Sequence, residues 1–272
     1  MTTPDEPIPS GRATDRGNAA PSTEVRAMFD RIARVYDPMN LAISAFQEPR
    51  WRRRAVRLTR TRPGDRVLDV ATGTGKVAAD LHKRVQPGGE VLGVDLSPGM
   101  IGVAEQRFGD RPGLSYVVGD ALALPTEDAS FDAATIAFGM RNLPDYRQGF
   151  AEMARSVRPG GRVVCLEIAR PKRRVAQLLQ LWFDRIVPLI GRVIGQGGAY
   201  GYLVRSVRDY PDPARIGAIM RDAGLEDIRW TPMTMGMVTI HVGTVPGAPT
   251  TSAKTSTAAA ATPTTESNAT VG

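Results

Sequence analysis

Short apolar runs alternate with stretches of helical spacing over most of the chain. Runs of strand character fall at 66–71, 90–95, 114–119, 131–138, 161–168, 227–231 and 237–245, and most of the intervals repeat apolar residues every three to four positions, as an amphipathic helix does. Strands alternating with helices predict a mainly parallel sheet covered on both faces. The last two strands have no helix between them, so they predict an antiparallel hairpin at one edge. The expected fold is therefore α/β: a seven-stranded, mostly parallel sheet with an antiparallel last strand and helices on both faces. Ahead of the sheet, Val25, Met28, Phe29, Ile32 and Val35 share one helical face, in a helix that starts at the capping residue Thr23 and stops at Pro38.

The folded domain is expected over 22–245, with 22–60 as an N-terminal helical cover and 170–210 as a helical insertion. Residues 1–21 and 246–272 are rich in Pro, Thr, Ala and Ser and poor in large apolar side chains, which predicts disordered tails. No internal repeat is visible. Within the insertion, 175–194 is strongly apolar but carries Asp184, Arg185, Pro188 and Arg192, too interrupted for a spanning helix. It follows the basic run 170–174. Two readings fit: a cover over an acceptor pocket that also touches anionic lipid, or a helix completing the core or a homodimer contact.

Composition narrows the function classes. With 42% hydrophobic and 23% charged residues among 272, neither wholesale disorder nor a polytopic membrane protein fits. Cys165 is the single cysteine, and His82 and His241 are the two histidines. An internal disulfide and a Cys/His zinc cluster are thereby excluded, no metal is expected, and a reducing cytosol is the expected compartment. No signal peptide is expected from residues 1–21, which hold no apolar stretch. The formal charge of +7 favours anionic partners, but lysine occurs only at 76, 83, 172 and 254, and an arginine bias also follows from GC-rich coding. With no aromatic stacking motif and no recognition-helix pattern, no specific nucleic acid is expected.

The sharpest local motif is Val67-Leu68-Asp69-Val70-Ala71-Thr72-Gly73-Thr74-Gly75, an apolar strand entering a glycine turn before a helix that starts near Lys76. Glycine suits a sharp bend where a ligand approaches the main chain and a helix N-terminus. Twenty residues beyond Gly75 the next strand ends at Asp95, placed to accept hydrogen bonds from the ribose hydroxyls of a nucleoside. Gly73-x-Gly75-x-x-Ala78 also satisfies the loose dinucleotide pattern, so an NAD(P)-dependent oxidoreductase is a rival. Three features favour S-adenosylmethionine. Asp69 precedes the glycines, where it would meet an ammonium and repel a pyrophosphate. Asp120 and Ala121 follow the third strand, at the rim where an adenine amino group would be read. Arg158-Pro159-Gly160-Gly161 turns a helix into the strand that ends near Glu167.

This ordered set resembles the class I (Rossmann-like) S-adenosylmethionine-dependent methyltransferases over 60–245. Tyr36-Asp37-Pro38-Met39-Asn40 with Ser44 and Trp51, then Ala137-Phe138-Gly139-Met140-Arg141-Asn142-Leu143, Leu166-Glu167, Tyr202-Leu203 and Gly236-Met237-Val238-Thr239-Ile240-His241 narrow the resemblance. They are similar to the signatures of the quinone-biosynthesis C-methyltransferases, which act on demethylmenaquinol and 2-polyprenyl-6-methoxy-benzoquinol. The resemblance implies cofactor contacts at Thr74, Asp95, Asp120 and Ala121, and places Ala137 where relatives often carry serine. It implies a prenylated quinol as acceptor, with another lipid or a small secondary metabolite as alternatives; between demethylmenaquinol and the ubiquinone precursor, the arginine-heavy composition, a mark of high-GC bacteria that often use menaquinone, favours demethylmenaquinol. A cytoplasmic enzyme, peripheral at the inner membrane face, would follow. The chain departs from the pattern at Lys76, usually acidic, and at Phe46 and Glu48, where glycine and histidine are common.

Carbon is a weak nucleophile until an adjacent phenol, of ordinary pKa about 10, loses its proton. Arg141 is the candidate to hold the quinolate oxygen, with Asn142 orienting a water. Tyr36, Asp37 and His241 are candidate bases or orienting groups.

Overall fold

A computed structural model describes residues 17, 20–169 and 197–247 of the chain. Most of both expected tails, the basic run 170–174 and the apolar segment 175–194 lie outside the described residues. Seven strands form one sheet: β1 (Arg66–Val70), β2 (Glu90–Asp95), β3 (Leu114–Val118), β4 (Phe131–Ala137), β5 (Val157–Ile168), β6 (Glu226–Met233) and β7 (Val238–Thr244). Their order is β3-β2-β1-β4-β5-β7-β6. β1 to β5 pair in parallel, while β7 runs antiparallel between β5 and β6. The expected topology, including the closing hairpin and the reversed last strand, is thus the one observed.

Strand alternation sends successive side chains to opposite faces. In β1, Val67 joins Leu81 and Val85 of α4 (Lys76–Val85), whereas Leu68 and Val70 join Phe150 and Met153 of α6 (Tyr146–Ser156). α7 (Gly197–Asp209) falls in the last part of the expected insertion and α8 (Pro213–Asp222) follows it; Ile216, Ile219 and Met220 of α8 extend the same core as α6. Side-chain caps set several helix starts: Ser97 accepts from Met100 N at 3.0 Å in α5 (Pro98–Phe108), and Asp145 accepts from Gln148 N at 2.8 Å in α6, each satisfying an orphan donor.

The N-terminal cover corrects the expectation of one helix stopped by Pro38. It comprises α1 (Ser22–Ile32), α2 (Tyr36–Ile43) and α3 (Glu48–Leu58). The break falls at residues 33–35, and Pro38 sits in the first turn of α2, where its missing N–H would have had no helical partner in any case. α1 and α2 pack Ile32, Met39 and Ile43 against Met100 of α5, while Trp51 and Ala55 of α3 pack on Leu166, Val238 and Ile240. The strand expected from 161 begins at Val157, and 158–161 bulge out of the ladder, since Phe131 pairs with Val157 but Ala133 with Arg162.

Candidate active site

The sheet reverses its strand order at β1, between β2 and β4, and the carboxyl ends of the strands open a crevice there. Two clefts occupy it, of about 910 Å³ and about 750 Å³ counted to their open mouths. They share Tyr36, Ala71, Gly73, Ala137 and Phe138 as a common wall. The smaller cleft takes Asp95 from the end of β2, Asp120 and Ala121 from the turn after β3, and Val25, Arg26 and Phe29 from α1. The larger is walled by Ile43, Trp51, Val77, Leu203, Met237 and Val238, with Arg141 and Lys76 among its polar groups.

The glycine turn is built by hydrogen bonds that converge on two carboxylates. Asp95 accepts from Gly73 N at 2.8 Å and from Ser97 N at 2.9 Å. Burial raises its pKa, and those two N–H groups act against the rise. Gly75 has φ of +79° and caps α4; a Cβ there would lie 2.6 Å from the Tyr116 hydroxyl, so no side chain fits and the conformation itself selects glycine. After β4, Phe138 is left-handed at φ of +58° and a Cβ on Gly139 would lie 2.5 Å from the Cβ of Ala71. The two strand ends therefore touch across the crevice.

Asp69, expected to meet an ammonium group, lies below the floor of the clefts. Its carboxylate accepts from Thr72 Oγ1 at 2.6 Å and from Thr135 Oγ1 at 2.5 Å, the latter from its register partner on β4. Burial pushes its pKa up to about 6, against the pull of the two hydroxyls. It shapes the turn from inside. Asp37, a candidate base, is also committed elsewhere: Thr74 Oγ1 donates to it at 2.8 Å, Lys76 Nζ lies 3.3 Å away and Arg107 of α5 pairs with it. The unusual Lys76 thus finds its countercharge on the cover helix α2, which it clamps to the glycine turn. Asp30 of α1 makes a second clamp, accepting from Ser97 Oγ at 2.5 Å and Gly99 N at 2.9 Å.

Arg141 occupies a short 3-10 turn, Met140–Asn142, that follows β4. It is buried, and its Nη1 donates to Glu167 Oε1 at 2.8 Å and to the Phe138 carbonyl at 2.6 Å. Glu167 Oε2 also accepts the Arg141 backbone N–H at 3.1 Å. The guanidinium Nε has no hydrogen-bond partner. A buried, permanently charged group with an unspent donor on the wall of an apolar cleft is suited to an anionic oxygen. Desolvation raises the pKa of Tyr36, outweighing the opposing pull of Arg141. Its phenol is a hydrogen-bond donor at neutral pH and a poor base. Asn142 accepts from Tyr202 Oη at 2.9 Å and lies on the smaller cleft. His241 is held elsewhere, buried in β7 with Nε2 2.9 Å from the Pro213 carbonyl and its ring beside Trp230; burial lowers its pKa to about 4. Among the described residues no cluster of His, Cys, Asp and Glu could hold a metal ion.

The clefts fit S-adenosylmethionine. Asp95 and Asp120 stand at a rim whose other walls, Val94, Leu96, Met100 and Ala121, are apolar, as a ribose and a purine require. Gly73, Thr74 and Lys76 stand on the neighbouring cleft, where a zwitterionic tail could lie. Asp30 and Arg107, which tie the cover to this region, escaped the sequence reading because each acts on a partner about 70 residues away, with no local motif to mark it.

Known proteins share this architecture. A SAM-dependent methyltransferase of Thermotoga maritima superposes with a TM-score of 0.58 at 18% identity, over 80% of this chain and 98% of that one. A Haloferax volcanii methyltransferase solved with its Trm112 activator does so with a TM-score of 0.58 at 21% identity, over 80% and 97%. In sequence, the demethylmenaquinone methyltransferase of Thermus thermophilus is 43% identical over 80% of this chain and 100% of its own. The ubiquinone/menaquinone biosynthesis C-methyltransferase UbiE of Geobacter sulfurreducens is 38% identical over 88% and 93%. A sequence profile of the ubiE/COQ5 methyltransferase family matches residues 18–245, and with the class I fold around this paired cleft, the chain belongs to that family.

Proposed function

We propose that the protein methylates a ring carbon of demethylmenaquinol with S-adenosylmethionine, giving menaquinol, at the cytoplasmic face of a membrane. The observation that carries this is the pairing of the clefts: a nucleoside-type rim at Asp95 and Asp120 shares a wall with an apolar cleft that holds a buried arginine. The names of relatives at 36–43% identity support the acceptor. S-adenosylmethionine supplies an electrophilic methyl on a sulfonium that departs as a neutral thioether.

The protein's own residues do the rest. Asp95 and the turn 73–75 orient the nucleoside, and the apolar walls exclude water and align the ring. Arg141 holds the quinolate oxygen and so lowers the cost of ionising the phenol. Tyr36 donates a hydrogen bond to the same anion, and a water in the cleft takes the ring proton; Asn142, fixed by Tyr202, stands on the smaller cleft, on the cofactor side of the shared wall. In balance, the ring exchanges a C–H for a C–CH3 bond, the sulfonium loses its methyl and charge, and one proton leaves to solvent. The experiment is transfer of labelled methyl to chemically reduced demethylmenaquinone, with the oxidised quinone and the benzoquinol precursor alongside. Label in menaquinol from the reduced substrate is the expected result. No transfer to any quinol, with cofactor binding intact by calorimetry, would move the acceptor to a different lipid or metabolite.

A further inference from the structure

The outer side of α3 is a stripe of arginine. Arg50, Arg53, Arg54 and Arg57 recur at i, i+3, i+4 and i+7, one helical face, and all four are exposed, while Trp51, Ala55 and Val56 are buried on the other side. Arg52, turned inward, is paired with Glu48 at 2.6 Å and Asp80 at 2.7 Å. Among the described residues no carboxylate lies within ion-pair distance of the outer four, and Arg53 Nε spends itself on the Pro49 carbonyl. Two large apolar side chains stand in water in turns that adjoin α3, Phe46 at 71% and Met235 at 66% exposure. Each is the second of two left-handed residues, Ala45-Phe46 and Thr234-Met235, a backbone that bulky side chains seldom adopt without a reason.

These features converge on α3. Phe46 lies two residues before α3, and Trp51 Nε1 of α3 donates to Thr234 Oγ1 at 2.8 Å, which ties the Met235 turn to the same helix. Both turns border the larger cleft: Ser44 and Glu48 flank Phe46, Met237 and Val238 follow Met235, and all four line it. Resting on the reading that the acceptor is a prenylated quinol, we infer that this surface seats the protein on an anionic bilayer. Phe46 and Met235 enter the headgroup region at the mouth of the acceptor cleft, and the arginine stripe lies against lipid phosphates. Apolar anchors beside a basic helix face are the signature of interfacial binding. A polyanion such as nucleic acid would use the arginines but gives no reason for the two apolar side chains at the cleft rim.

The full chain should co-sediment with vesicles of phosphatidylcholine containing about one-third phosphatidylglycerol and far less with phosphatidylcholine alone. Phe46→Ser/Met235→Ser and Arg50→Gln/Arg54→Gln/Arg57→Gln should each weaken that partition about tenfold or more, with unchanged thermal melting. Both should still methylate a short-tailed, water-soluble demethylnaphthoquinol in vesicle-free buffer. Wild-type protein left in the supernatant, or either variant partitioning as wild type, overturns the inference. So does an arginine variant that loses a duplex oligonucleotide yet keeps the vesicles, which would make the stripe a nucleic-acid surface. Failure of the wild type on the soluble quinol would instead sink the acceptor assignment, and vesicle partition would still decide the surface.

Discussion

Arg141 and Glu167 form a buried pair, so the two roles of the arginine, structural and electrostatic, have to be separated by substitution. Arg141→Met leaves the Glu167 carboxylate without its cation in a buried site, an expected cost of about 3–5 kcal/mol. Arg141→Met/Glu167→Gln removes both charges and should recover most of that stability in urea unfolding. Turnover should fall by at least about 100-fold in both variants, with S-adenosylmethionine affinity close to wild type in the double variant. Restored turnover in the double variant would reduce Arg141 to a structural ion pair. At His241 the effect belongs to stability. Its folded-state pKa of about 4 lies below the ordinary 6.5, so as pH falls between these values the unfolded chain takes up the proton first. Stability from this group, about 3 kcal/mol, is complete above pH 6.5 and lost toward pH 4. Asp69 acts with the opposite sign: raised to about 6, it holds its proton longer when folded, and its contribution declines as pH rises from 3.8 to 6. His241→Gln should therefore be less acid-sensitive than wild type in urea melts between about pH 4 and 6.5. Equal pH slopes for the two proteins would show that His241 is not buried neutral.

At the scale of elements, the glycine turn and the cover helices are joined through a few polar contacts, and the turn is the more exacting of the two. Gly75→Ala places a methyl 2.6 Å from the Tyr116 hydroxyl at a positive φ, with an expected loss of about 1–2 kcal/mol from the left-handed conformation and more from the clash. That hydroxyl is buried without a hydrogen-bond partner, so Tyr116→Phe alone should be neutral or stabilising by up to about 1 kcal/mol. In the Tyr116→Phe background the Gly75→Ala loss should shrink, a coupling that a double-mutant cycle of unfolding free energies would read directly; additive losses would show that the steric account is wrong. The turn was legible in the sequence because glycine spacing after an apolar strand has one economical meaning. Pro38 was misread for a physical reason as well: a proline that stops one helix and a proline in the first turn of the next leave the same local pattern, and the break at residues 33–35 carries no glycine or proline to mark it.

Across the whole molecule, the seven strands and the closing antiparallel hairpin followed from alternation and from the missing helix before the last strand, because burial on both faces of a sheet writes itself into local periodicity, whereas the strand order, which depends on long-range pairing, did not. The division of the crevice into two clefts did not, since it depends on Tyr36 from the cover meeting Ala71, Gly73, Ala137 and Phe138 from strand ends up to 102 residues distant. Asp69 shows the same limit: its position at a strand end was legible, but its two threonine partners, which turn it away from the clefts, were not. The partition makes a testable claim about the molecule as a unit, because each cleft should be blockable without the other. Met237 lines the larger cleft and is absent from the walls of the smaller; it is half-buried in the turn leading into β7 and packs on the edge of the Trp51, Leu166 and Val238 cluster, so the kinetics of a larger side chain are read alongside an unchanged thermal melt. Met237→Trp should raise the KM for the quinol about tenfold or more, on the scale of losing one well-fitted apolar contact region, while the Kd for S-adenosylmethionine stays within about twofold by calorimetry. If cofactor affinity falls as far as quinol affinity, the two clefts behave as one site, and the tail of the cofactor must reach further toward β7 than the wall at Phe138 suggests. If the KM is unchanged while cofactor binding is normal, the ring does not lie against Met237, and the assignment of the larger cleft to the acceptor fails.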